Sequence, residues 1–234
     1  MKKLLTGMLV LCMVLGFGSL ALAQTGEISA DMMFGNHVLT ATVEGSNGDS
    51  GTKVECEAPV RLTTVKGEIS IMDKLGVVGS FAFGKSDKFE KELPDDYGEL
   101  NNMSIAVQYQ IVPMLKARAG FFTGGYALND DDENKEEMKM SGITIGAAVD
   151  AEVGNNIGIF GEAAYAPMVK AKLEEEEYDD SSMMAFEAGG KYYFDQFAVK
   201  AGYRYQNFDF KQKEIDHKTS ATFSGFFVGA SMNF

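Results

Sequence analysis

Period-two alternation runs through most of this chain, and beyond the first two dozen residues no stretch is long and apolar enough to be a membrane helix. Together these features confine the fold to β-sheet whose two faces meet different surroundings. Residues 226–234 show it most clearly. Phe226, Val228, Ala230, Met232 and Phe234 share one face, and Phe227, Gly229, Ser231 and Asn233 the other. Phe197, Val199, Ala201, Tyr203 and Tyr205 likewise oppose Ala198, Lys200, Gly202, Arg204 and Gln206. The same rhythm recurs over 65–71, 77–83, 103–111, 115–122, 143–153, 157–165 and 184–194.

The amino terminus reads differently. Lys2 and Lys3 precede an apolar run over 4–20, and Ala21-Leu22-Ala23 supplies a small-x-small cleavage pattern. Residues 1–23 are therefore expected to be a cleaved signal peptide, leaving 24–234 as one domain. An exported chain without membrane helices is either soluble or a closed barrel, since only helices and closed barrels satisfy their backbone in lipid. A formal net charge of −13 excludes a basic nucleic-acid footprint. Of the two cysteines only Cys56 lies outside the leader, so no disulfide framework is expected.

Charge decides between the soluble and the membrane barrel. A mean hydropathy of −0.10 does not, because alternation hides apolar residues in the average. Within the strands the charges fall on the face that also carries small and polar residues, while Ile, Val, Phe and Tyr fill the other. A soluble barrel would put the bulky apolar face inside; here it is expected to face lipid. Aromatic residues gather near strand ends, with Tyr109, Tyr192, Phe194, Phe197 and Phe234 at one side and Phe83, Phe121, Tyr165 and Tyr205 at the other. Interfacial girdles have that distribution.

The connections are asymmetric. Four tight turns near Asp73, Pro113, Asn155 and Gln196 alternate with five long polar links over 45–51, 85–101, 129–139, 172–182 and 211–219. The reading is an all-β, transmembrane, antiparallel up-and-down β-barrel of about ten strands, with the turns periplasmic. Residues 27–44 and 52–71 exceed what a tilted strand needs to cross and are read as projecting outside. The alternative is eight strands after an irregular amino-terminal segment.

A strand closing on an aromatic residue resembles the carboxy-terminal pattern of bacterial outer-membrane barrels, with Ala230, Met232 and Phe234 at the matching positions. The chain thus resembles the small single-domain barrels of the OmpA-, OmpX- and OmpW-like superfamily. The resemblance implies residence in the bacterial outer membrane, insertion by the barrel-assembly machinery, outer-membrane lipid as surroundings, and a monomer.

The inward face carries Lys66, Glu68, Lys116, Arg118, Asp150, Glu152, Glu162, Glu187, Lys191, Lys200 and Arg204. Depths counted from the tight turns place Lys116 and Arg118 beside Asp150 and Glu152, Glu162 level with Lys191, and Glu187 against Arg204 one layer higher. Nearly matched charges in a narrow lumen favour a plug of ion pairs, because desolvated charges must be paired. The expected function is a structural or surface barrel; the alternative is a narrow porin-like channel for small polar solutes or ions. Acidic runs at 130–133 and 174–177 keep the outer rim solvated, and as hard oxygen ligands they make divalent cations the sharper candidate partner. No cofactor and no enzymatic activity are expected. His37 and His217 are the two histidines; His217 follows Asp216 with Ser220 nearby, and such a loop Asp-His pair is read as solvent-exposed polarity rather than a catalytic arrangement.

Overall fold

Ten antiparallel strands close into a barrel: β1 (Gly26–Val43), β2 (Thr52–Met72), β3 (Leu75–Lys88), β4 (Tyr97–Val112), β5 (Leu115–Asn129), β6 (Lys135–Gly154), β7 (Ile157–Leu173), β8 (Glu176–Phe194), β9 (Phe197–Gln212) and β10 (His217–Asn233). The structure, a computed structural model, describes residues 25–43, 52–89, 96–129, 135–173, 176–212 and 217–234. Each strand pairs with its neighbour in the chain, and β1 closes the ring against β10 from Glu27↔Asn233 to Val43↔His217. Both arms of the first hairpin, β1 and β2, are continuous strand, so the eight-stranded alternative is excluded. The expected leader and the acidic runs at 130–133 and 174–175 lie outside the described residues.

The tight turns fall where the sequence places them. Asn155 and Asn156 have φ of 51° and 64°, and Asp195 has 55°. Asn and Asp tolerate this left-handed region, and two successive positive φ values make the hairpin turn whose twist matches the flanking strands.

Outward apolar residues form a belt on the turn side. Ile105 and Val107 on β4, Ile143 and Ile145 on β6, and Phe226 and Val228 on β10 are all more than half exposed. They alternate with half-buried or buried inward neighbours. In water so much exposed apolar surface would be untenable; against hydrocarbon it is required.

Above the belt the polarity of the two faces inverts. Crossing lipid takes about 9–11 residues of tilted strand, whereas the strands run from 14 residues (β3) to 21 (β2). On β2, Lys66 and Glu68 point inward within the belt, but farther up Cys56, Ala58, Val60 and Leu62 are the buried inward residues, with Glu55, Glu57 and Arg61 exposed outside. β9 repeats the exchange: Lys200 and Arg204 face the lumen below, Phe208 and Phe210 above. The cause is the change of solvent outside the wall. Where lipid ends, the barrel folds like a soluble one and gathers an apolar core. An interior of small and charged residues throughout was the expectation; it holds only for the lower half.

Candidate functional site

Two layers fill the barrel. In the lower layer Lys66, Lys116, Arg118, Lys191, Lys200 and Arg204 face the carboxylates of Glu27, Asp31, Glu68, Asp150, Glu162 and Glu187. Nearest the turns, Lys191 reaches Asp150 at 2.6 Å and Glu27 at 2.9 Å. In the middle, Lys116 and Arg118 on β5 both grip Glu68 on β2, Arg118 at 3.1 Å, and Arg118 and Lys66 both meet Glu162 on β7. At the top of the layer Arg204 spans Asp31 at 2.8 Å and Glu187 at 2.6 Å, donates to Thr64 Oγ1, and shares Asp31 with Lys200. β2, β5 and β7 are not sheet neighbours, so these pairs tie the wall across the lumen.

The structure brings Glu187 and Arg204 together across β8 and β9, where they are register partners. It separates two other expected groupings. Lys116 and Arg118 face Ala148 and Gly146 on β6, which leaves Asp150 one layer nearer the tight turns, with Lys191. Glu162 lies opposite Glu187, while Lys191 lies opposite Gly158. Glu152 is exposed at the turn end. Equal counts from the turns misplace all of these because a closed barrel staggers its strands around the ring. Glu27 and Asp31 are additional lumen acids; their signal is the alternation of β1, in which Ile28, Ala30, Met32 and Phe34 are the outward set. Ala230 is exposed outside near the turn end of β10, and Met232 and Phe234 are half-buried there.

The upper layer is an aromatic block. His37 is wholly buried and stacks on Phe223 at 4.3 Å between ring centroids and 7° between planes, with Phe89 at 5.0 Å and Tyr126 edge-on. Phe122, Phe208 and Phe210, with Met33, Met140 and Leu100, complete it. The Tyr126 hydroxyl and His37 Nε2 lie 3.3 Å apart, and His37 Nδ1 has no hydrogen-bond partner among the described residues. Burial pushes the imidazole pKa down to about 3.

Folded His37 is therefore neutral, whereas the unfolded chain binds its proton below about pH 6.5. Stability from this site is complete above that pH and falls as the pH drops toward about 3. Between pH 6.5 and 5, where carboxylates remain ionised, the loss is about 2 kcal/mol. His37→Phe keeps the stack and removes the titration. Urea unfolding of this variant should show a midpoint that is flat across that window, against a falling one in the parent.

Between the layers lies a cavity of about 150 Å³, walled by the small side chains of Ser80, Ala82, Ser104, Ala106, Thr144 and Ala164. A second, of about 50 Å³, runs through the lower layer, and both touch Lys66, Arg118, Glu162 and Glu187. Among the described residues, no group of three or more His, Cys, Asp or Glu side chains is arranged to hold a metal ion.

Comparison with solved structures finds the same architecture in the outer membrane protease OmpT from Escherichia coli, with a TM-score of 0.61 at 10% identity over 92% of this chain and 98% of that one. At that identity the likeness is one of fold. Ail of Yersinia pestis (TM-score 0.35, 16% identity, 89% and 99% covered) and the translocator domain of NalP from Neisseria meningitidis (0.38, 11%, 100% and 97%) overlap more loosely. No curated protein matches the sequence. Residues 90–234, more than half of the chain, match the family described as YfaZ precursor. This ten-stranded barrel of the bacterial outer membrane belongs to the YfaZ precursor family.

Proposed function

We propose that this protein is a closed structural or surface barrel rather than a conduit. The observation that carries the reading is the aromatic block: His37, Phe122, Phe208, Phe210 and Phe223 are each no more than 2% exposed and lie across the lumen's outer half. The ion pairs beneath add a second obstruction, since a solute crossing them would have to displace charges from their partners in a low-dielectric interior. The projecting strands, polar outside and apolar within, make a rigid platform above the membrane, as a surface-contact role requires.

The channel reading keeps one supporting observation, the pair of cavities that share Lys66, Arg118, Glu162 and Glu187. Planar-bilayer recording separates the two. The parent protein should be electrically silent, and so should Phe122→Ala/Phe223→Ala, which removes two rings from the block but leaves the ion pairs beneath it in place. Stable openings of reproducible size in the parent would overturn the closed reading.

A further inference from the structure

We propose that the outer surface of the β6–β7 seam binds a phosphate-bearing lipid headgroup of the outer leaflet. Three lysines meet there. Lys139 on β6 is the register partner of Lys172 on β7, and Lys170 is the partner of Ser141. All three side chains are exposed outward, since the intervening Met138, Met140, Val169 and Ala171 are buried in the lumen. Like charges directly opposed across a strand pair repel and weaken it, so this arrangement calls for a counter-charge. Lys172 has Glu177 at 3.3 Å. Lys139 and Lys170 have no acidic partner among the described residues, although the chain as a whole carries a net charge of −13. Elsewhere on the outer wall Lys53, Arg61 and Lys218 each have a carboxylate within 4 Å.

What lies beneath the lysines identifies the occupant. Register is interrupted between Gly142 and Ile145, and the extra residue on β7 leaves Pro167 and Met168 both exposed. Met168 (74% exposed), Ile143 (66%) and Tyr165 (47%) make an apolar foot at the top of the belt, directly below the cations. An amphiphile with acyl chains along that foot would set its headgroup among Lys139, Lys170 and Lys172. Among the described residues Glu177 is the one carboxylate within 4 Å of these three ammonium groups, and the remaining positive charge matches a phosphate ester, whereas a neutral sugar or a choline offers no anion. The site is on the lipid-facing wall and is independent of whether the lumen is open.

The test is lipid retention by the full barrel in nanodiscs, read by native mass spectrometry. Discs of phosphatidylcholine are doped with lipid A bearing two phosphates or with its dephosphorylated form. The parent should retain the phosphorylated lipid preferentially. Lys139→Gln/Lys170→Gln/Lys172→Gln should bind it roughly ten- to a hundredfold more weakly, with the corresponding triple arginine variant restoring retention. Lys53→Gln/Arg61→Gln should behave as the parent. Folding of each variant is checked by the mobility of the unheated protein on a gel, and the single Lys170→Gln variant carries the comparison if the triple does not fold. Equal retention of dephosphorylated lipid, or undiminished binding by the glutamine variants, would overturn the proposal. So would complete displacement by millimolar inorganic phosphate, which would mark a free-anion site.

Discussion

Asp31→Ala should lower the stability of the folded barrel by about 3–5 kcal/mol, because it leaves the buried Lys200 without its counter-charge. The Asp31 side chain is 1% exposed and is held by Lys200, itself 4% exposed, and by Arg204. Without it, Arg204 retains Glu187, but Lys200 is left, among the described residues, with the Ser29 hydroxyl at 3.2 Å and the Phe227 ring at 5.6 Å, neither of them a counter-charge. Removing the matched pair has a different consequence. Asp31→Leu/Lys200→Met replaces two desolvated charges by apolar chains of similar bulk and leaves the Arg204–Glu187 bridge in place. That variant should be near the parent in stability or above it, since a buried ion pair's attraction often fails to offset its desolvation. The chain has no tryptophan, so unfolding is followed by tyrosine emission or by the heat-induced gel shift. If the double variant loses as much as the single one, charge pairing is not what Asp31 contributes.

Asp31 also shows what kind of information the sequence holds. Alternation reveals on which face a residue lies: the outward set Ile28, Ala30, Met32 and Phe34 already implies that Glu27 and Asp31 point inward. The same parity locates Lys200, Arg204 and Glu187, and the two asparagines at 155 and 156 announce their turn. Depth is another matter. It depends on stagger around the closed ring, a property of ten strands together, so the partners of Lys116 and Glu162 escape a count made along single strands. Nor does parity disclose what lies outside the wall. Phe208 and Phe210 continue the alternation of β9, yet they are one register out of step with Tyr203 and Tyr205 and so face the opposite way. That switch marks the height at which lipid gives way to water, and the aromatic block becomes visible only when such switches on several strands are aligned.

Between the charged and aromatic layers the closing seam imposes a steric limit of its own, where Gly35→Ala should cost about 3 kcal/mol and Gly35→Val should leave no folded band. Gly35 on β1 and Gly225 on β10 are register partners and both face the lumen, between the height of Asp31 and that of His37. A Cβ on Gly35 would stand 1.9 Å from the Ser224 carbonyl oxygen and 2.5 Å from Gly225 Cα, and one on Gly225 would stand 2.3 Å from the Phe34 carbonyl oxygen. These obstacles are backbone atoms of the partner strand, so no rotamer change relieves them; the strands themselves must part. Glycine at such a point lets two backbones approach closely, and here that approach joins the first strand to the last. Gly79 is the control. A Cβ there meets nothing nearer than 3.8 Å, so Gly79→Ala should match the parent or gain about 0.5–1 kcal/mol from lost chain entropy in the unfolded state. The ratio of heat-shifted to unshifted band across a temperature series measures all three variants. Loss at Gly35 without loss at Gly79 would attribute closure to backbone contact at the β1–β10 seam, whereas comparable losses at both would mean that strand glycines in this barrel matter for some reason other than close approach.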